Sequence, residues 1–201
     1  YFFTCIIAIP IIIRLYKKNF LYSENYLLQI LRGSFLVGAT ISFFFAISFI
    51  PLAEALALAF VYPLFIILLS PFLLQESINF KQLLIVVIGF VGVLFIIKPG
   101  FIEFNVIFIL PIGTGLFYSL YMIFTGKLAS NDTPLKTLAF TGIVGLLSVS
   151  FFQPFIWVSP SSFEWLLMLA MGIVATGGHF LVILSFRYAQ ASKLAPFSYW
   201  E

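Results

Sequence analysis

The sequence predicts an all-α fold, a polytopic membrane helical bundle, and three observations carry that prediction. The 201 residues are 63% hydrophobic, and ten Lys and Arg with seven Asp and Glu are too few to clothe a soluble domain of this size. Apolar runs recur along the whole chain, most of them near the ~17–25 residues that cross a ~30 Å hydrocarbon layer. The basic residues also gather on alternate connectors, as the positive-inside rule requires. Helices rather than barrel strands follow, because the runs are long and the connections few.

Eight runs are expected, taken in order. The first, residues 1–13, ends in RLYKK at 14–18, a basic anchor. The second, 31–50, carries Gly38 and Ser42, small residues four apart that let helices approach closely. The third, 53–74, follows Pro51; Ala55 and Ala59 repeat the small spacing, while Pro63 and Pro71 remove amide donors and bend it. Asn79 and Gln82 read as a capping box opening the fourth, 80–97, and KPG at 98–100 stops it. The fifth is 105–126. Thr133 and Pro134 read as cap and first residue of the sixth, 136–157. Ser161 and Glu164 form a second capping box before the seventh, 164–186, and an eighth run starts at 192. The chain begins at Tyr1 inside an apolar run and stops just after a new one opens, so a segment of a longer protein is expected.

Orientation follows from the connectors. Arg14, Lys17, Lys18, Arg32, Lys81, Lys127, Lys136, Arg187 and Lys193 fall on one set, and Lys98 alone on the other. The first set is cytoplasmic. No basic cluster suits nucleic acid, so lipid is the expected surround. Cys5 is the only cysteine, which excludes a disulfide scaffold and a thiolate metal site.

A faint repeat is legible. AISFIPLAEALALAFVYPL at 46–64 overlays ILSFRYAQASKLAPFSYWE at 183–201 with an offset of 137, pairing Phe60 with Phe197, Tyr62 with Tyr199 and Ser42 with His179. An odd number of crossings separates the copies, so they enter the membrane in opposite senses, a plan common in alternating-access carriers.

The stretch FAISFIPLAEALALAFVYPLFIILLSPFLLQESINFKQLLIVVIGFVGVLFI, residues 45–96, resembles the EamA-type branch of the drug/metabolite transporter superfamily. An alanine-rich turn precedes a proline-bearing helix, an acidic residue (Glu76) stands at its end, and a glycine-containing span (Gly89, Gly92) comes next; SFRYAQASKLAPFSYWE resembles the same signature in a second half. The resemblance implies a ten-helix transporter made of two inverted five-helix repeats. Residues 1–97 would be most of the first repeat, helices two to five, and 103–201 the second from helix six to the start of nine. Helix one, most of nine and all of ten would be missing. It implies export or import of a small metabolite across a bacterial inner membrane; relatives carry amino acids, nucleotide-linked compounds, S-adenosylmethionine or other cofactors. Where the family often has Leu-Gly-Glu, this chain has Leu74-Gln75-Glu76, so the tight turn there is expected to differ.

Seven residues are candidates for contact with a substrate. His179 lies in GGHFLVILSF, an apolar run where an ionisable ring must face protein, water or a partner. Interhelical packing, ligand contact and proton coupling all stay open for it, and no acidic partner shares its run. Tyr118 and Tyr121 share a helix face with Thr114, and buried hydroxyls call for partners. Tyr62 and Tyr199 are equivalent in the repeat, as is Ser42 to His179. Glu54 serves either the dipole of a first helical turn or a cation-binding mouth. Glu76, Glu103, Arg187 and Lys193 read as interfacial, loop or anchoring residues.

No HExxH, GxSxG or same-run acidic pair is present, which argues against an enzyme, and no motif calls for a cofactor or metal. Spans nearly free of charge argue against a selective channel. A secondary-active or facilitative transporter by alternating access is the expected function. The alternative is a non-transporting helical bundle acting as a structural or binding module. Solute, direction, coupling ion and oligomeric state are not written in the sequence.

Overall fold

The computed structural model describes residues 1–19, 21–97 and 106–200. The predicted stop at 98–100, with Lys98 and Glu103, lies outside them. Every regular element among the described residues is helical: α1 (Phe2–Tyr16), α2 (Tyr26–Ala46), α3 (Leu52–Ala59), α4 (Tyr62–Leu74), α5 (Phe80–Ile97), α6 (Ile109–Leu128), α7 (Pro134–Ser150), α8 (Gln153–Ile156), α9 (Ser162–Ser185) and α10 (Ala191–Leu194). A 3-10 segment, Ala195–Trp200, continues α10. Tyr26–Ala46, Leu52–Leu74, Val106–Leu128 and Ser162–Ser185 are long and apolar enough to cross a membrane, and Phe2–Tyr16, Phe80–Phe95 and Pro134–Ser150 are shorter apolar helices. The protein is a multi-span membrane helical bundle.

The helix starts show how the sequence sets boundaries. Ser161 and Glu164 form the full reciprocal box at α9. At α5 the Gln82 side chain accepts from the Asn79 N–H (2.9 Å), while Asn79 Oδ1 takes the N–H of Lys81 (3.1 Å) rather than that of Gln82. Asn25, unmarked in the sequence reading, caps α2 by accepting from the Leu28 N–H (3.0 Å). That cap starts α2 at Tyr26, well before residue 31. Thr133 is the N-cap residue of α7 and Pro134 opens it, but no side-chain cap bond forms, and the Thr133 hydroxyl is buried without a partner among the described residues.

Three expected runs are not single helices. The third is broken between α3 and α4 at Phe60 and Val61. The sixth ends at Ser150, with α8 as a separate turn. The eighth is the short α10 followed by 3-10 turns. One spacing of helix boundaries occurs twice. α2 ends at Ala46 and α3 has its N-cap at Pro51; α9 ends at Ser185 and α10 has its N-cap at Gln190. These boundaries stand 139 residues apart (46 to 185, 51 to 190), two more than the offset that aligns the side chains.

The chain forms two compact units. Unit 1 holds Tyr1–Val37 and Leu128–Tyr188. In it α1 packs against α7 and α9, and Ala8, Ile12, Leu138, Ala139 and Ile183 form a buried cluster. Thr4 and Thr176 hydroxyls join α1 to α9 at 3.0 Å. A polar knot closes one end. Asp132 accepts from Ser23 and from Gln29 Nε2 (2.8 Å), and Arg187 donates to the Asp132 carbonyl (3.1 Å). Arg32, counted in the sequence as a helix-end anchor, is fully buried here and donates to Thr141 Oγ1 (2.6 Å) and the Thr137 carbonyl (3.2 Å). Starting α2 at Asn25 carries Arg32 into the second turn, which explains its burial.

Unit 2 holds Gly38–Lys127 and Ala189–Glu201. Here α5 packs on α3 and α4, and α10 with its 3-10 extension packs on α4 and α5. α4 ends at Gln75, whose φ of 57° and ψ of 31° are left-handed, the conformation glycine adopts most cheaply. The turn is thus as tight as Leu-Gly-Glu would make it. It delivers Glu76 to the start of α10, where the two carboxylate oxygens accept from the N–H groups of Ala191 and Ser192 (both 2.9 Å). A carboxylate at helix-start amides gains both hydrogen bonds and dipole.

These contacts test the topology within each unit. The polar knot joins the connectors near 23, 132 and 187, and Glu76 joins those near 76 and 191. All belong to the set assigned to the cytoplasm. A miscounted crossing would have put partners on opposite sides.

Candidate functional site

The break in the third run is where unit 2 departs most from a plain helix, and its cause is local. Pro63 has no N–H to return to the carbonyl of Ala59 four residues earlier. The N–H of Leu64 bonds the Val61 carbonyl (3.0 Å), and the Phe60 carbonyl accepts from the Tyr199 hydroxyl (3.3 Å). The interruption falls ten residues into the 23-residue stretch Leu52–Leu74, about 15 Å along at helical rise and so near mid-span. Helix breaks at that depth are tolerated where they line a cavity or are covered by protein.

A pocket of about 220 Å³ opens beside the break. Phe60, Tyr62 and Tyr118 supply ring walls, with Phe43 from α2, and Leu56, Ala59, Thr114 and Gly115 complete an almost wholly apolar lining. No charged side chain lines it. Gly115 is required: a first side-chain carbon there would lie 2.6 Å from Val61 Cγ1 and 2.9 Å from the Ala59 carbonyl oxygen. The absence of a side chain lets α6 meet the interruption.

The rings form an ordered set. Phe60 is near parallel to Tyr62 (28°, centroids 6.0 Å apart) and to Tyr199 (29°, 6.3 Å). Tyr62 meets Tyr118 edge-on (83°, 4.9 Å), and Tyr118 leans on Tyr121 (31°, 5.5 Å). Such pairs favour a fixed arrangement beyond simple burial.

Four of the seven predicted residues therefore meet in unit 2. Tyr62 and Tyr118 line the pocket. Tyr199 stacks on Phe60 and Tyr121 is fully buried behind Tyr118, so both support the walls rather than form them. Ser42 and Glu54 belong to the same unit but stand outside the lining residues; Glu54 sits in the first turn of α3, where its charge suits the helix dipole. His179 lies in unit 1, six residues before the end of α9 and about as far from the middle of that helix. Its ring is half-buried, and Arg32 is among the charges acting on it.

The backbone contributors were missed in the sequence. Ala59 and Gly115 carry no functional group to notice, yet the spacing Ala59–Pro63 announces a carbonyl deprived of its helical donor. A larger cavity, about 410 Å³, lies in unit 1 between Phe2, Phe3, Trp157 and Trp165. It holds none of the predicted site residues, and the Trp157 indole donates to Ser159 (3.2 Å), as an interfacial tryptophan does.

Residues 1–98, which include α3, α4 and their interruption, match the model of the EamA-like transporter family. These residues belong to that family. The EamA-like region, together with the remainder of the chain, is similar to the S-adenosylmethionine uptake transporter of Rickettsia prowazekii (strain Madrid E), with 27% identity over 202 residues covering 100% of this chain and 68% of the relative. The riboflavin transporter of Vibrio cholerae serotype O1 (strain ATCC 39315 / El Tor Inaba N16961) is 26% identical over 155 residues, 75% of this chain and 51% of the relative. A crystal structure of a protein 21% identical matches with a TM-score of 0.78 over 98% of this chain and 72% of that one, a likeness of fold. The chain is thus a multi-pass integral protein of a bacterial inner membrane, with a general role in membrane transport of a small molecule.

Proposed function

We propose that the chain is the larger part of a carrier that moves a small metabolite by alternating access, with the aromatic pocket of unit 2 as solute contact. One observation carries this reading: an apolar spanning stretch is interrupted at mid-depth, and the interruption opens on a walled pocket. A plain structural bundle has no use for that break, which forfeits helical hydrogen bonds in a setting where water does not replace them. Carriers use such breaks to present backbone groups to solutes.

Two inverted five-helix repeats, 1–97 and 103–201 being most of one and part of the other, are the architecture proposed for the full-length protein. The recurrence of a helix end followed five residues later by a new N-cap supports it. Tyr62, Tyr118, Tyr121 and Tyr199 are assigned to the site as walls and wall supports; Ser42, Glu54 and His179 are assigned to the solute path. The driving force is a gradient of the solute or of an ion, and protons reach this list only through His179. The relatives supply two solutes to begin with, S-adenosylmethionine and riboflavin.

The test is flux into proteoliposomes carrying the full-length protein, with those two solutes and a panel of amino acids and nucleosides. Saturable uptake of at least one is expected. Protein that is folded and inserted yet moves none of the panel would overturn the reading.

A further inference from the structure

A hydrogen bond that the α3–α4 break removes is replaced from another element. In a continuous helix the Leu64 N–H would serve the Phe60 carbonyl; here it bonds the Val61 carbonyl (3.0 Å). A carbonyl stripped of its donor near mid-span has no water to turn to. The Tyr199 hydroxyl answers it, donating at 3.3 Å. The residue so held, Phe60, supplies a ring of the pocket wall. We propose that Tyr199 is a positioning residue of the pocket: seated against Gly89, it caps the Phe60 carbonyl and so fixes the break and the Phe60 ring in place. Its bearing on transport rests on the proposed function, in which this pocket contacts the solute.

The ring of Tyr199 works with its hydroxyl. It lies near parallel to the Phe60 ring (29°, centroids 6.3 Å apart), so Phe60 is held by backbone and by side chain at once.

The seat is specific. A first side-chain carbon at Gly89 would lie 2.4 Å from Tyr199 Cδ2 and 2.8 Å from its Cε2 and Cγ. These are atoms of a rigid ring, so any side chain at Gly89 must push that ring off α5 and away from where its hydroxyl meets Phe60. The same carbon at Gly92 would meet nothing within 4 Å. Of these two glycines of α5, only Gly89 is required by a contact.

The segment that carries Tyr199 is itself anchored. Tyr199 belongs to the 3-10 extension of α10, which packs on α4 and α5, and Glu76 holds the start of α10 through the amides of Ala191 and Ser192. Pinned at its start by a carboxylate and near its end by a phenol, the segment presents the hydroxyl at one place. Were Tyr199 only a packed ring, its hydroxyl would be dispensable, and that difference is measurable.

The experiment uses the full-length protein in lipid nanodiscs with a para-fluoro label on the Phe60 ring, read by fluorine NMR without solute. Tyr199→Phe keeps the ring and its seat and removes only the hydroxyl. It should shift or broaden the fluorine line, and Gly89→Ala should do the same by displacing the ring. Gly92→Ala, the same change on the same helix, should leave the line where it is. In proteoliposomes, with S-adenosylmethionine and riboflavin as probes, Tyr199→Phe should raise the KM of any uptake about ten-fold with Vmax within about two-fold, as loss of a wall in the loaded state requires. Gly89→Ala should raise KM as well, and Gly92→Ala should stay within about two-fold. An unmoved fluorine line in Tyr199→Phe, equal effects of Gly89→Ala and Gly92→Ala, or uptake with an unchanged KM in Tyr199→Phe would each overturn the assignment. Should Gly89→Ala fail to fold, Tyr199→Phe still decides. The two proposals fail separately. A fluorine line that moves as expected with no flux of any solute would sink the carrier and leave Tyr199 its role; saturable flux with the line unmoved would do the reverse.

Discussion

Gln75 and Glu76 show how two adjacent side chains set a distant element. Gln75 holds a left-handed backbone that suits glycine, so Gln75→Gly should stabilise the protein by about 0.5 kcal/mol, after allowing for the extra freedom glycine has when unfolded. A rise of the thermal midpoint in detergent checks this; a fall would mean the Gln75 side chain makes a contribution of its own. Glu76 then accepts from the amides of Ala191 and Ser192. Glu76→Gln keeps the shape but turns one of the two acceptor oxygens into an NH2 donor, so one bond is lost and the other loses its charge, with an expected cost of about 1–3 kcal/mol. Amide exchange at Ala191 and Ser192 should accelerate while that of α9 stays put. Uniform acceleration over the whole chain would assign Glu76 a general rather than a local role. In the sequence Glu76 reads as an interfacial residue because its partners stand 115 and 116 positions away, and no periodicity signals a carboxylate aimed at backbone.

At the scale of elements, the informative unit is a helix that stops and restarts. Pro63 and Gly115 shape the α3–α4 interruption together: one lacks a donor, and the other makes room beside the Ala59 carbonyl. Pro63→Ala restores an N–H four residues after Ala59 and should let the helix run on. Transport should then fall at least ten-fold with the fold kept, since proline in a helix interior costs about 3 kcal/mol and its removal favours the unbroken form. Helical content by circular dichroism should hold or rise while flux falls; undiminished flux would detach the break from function. Element starts were legible where a side chain of fixed chemistry does the capping, as at Ser161 with Glu164 and at Asn79 with Gln82. They were illegible where tertiary packing decides. The third run reads as one apolar stretch because Phe60 and Val61 are as lipid-compatible as their neighbours, and hydropathy carries no trace of a missing hydrogen bond. Arg32 was misplaced for a related reason. Its charge reads as an anchor at a helix end, yet the cap at Asn25 and acceptors on α7 draw it into the protein.

For the whole molecule, the apolar composition suffices to name a multi-span bundle, and the alternation of basic connectors gives its expected orientation. The contacts of each unit join only connectors of one side. Of the candidate site, Tyr62 and Tyr118 stand out in the sequence as polar-tipped rings in apolar runs, while Phe43, Leu56, Ala59, Phe60 and Gly115 look like any other apolar or small residue of a span. Alternating access makes a demand that neither a channel nor a structural bundle makes, namely that one pocket be reached from each face in turn. Leu56 lines the pocket and is 42% exposed, which makes it a reporter position. The measurement is thiol modification of Leu56→Cys, in full-length protein with Cys5→Ser, by a membrane-impermeant reagent applied to oriented vesicles from one side and then the other. Modification from both faces, slowed by transported solute and accompanied by loss of flux, is the result predicted here. Modification from a single face only, under every solute condition, would contradict the account.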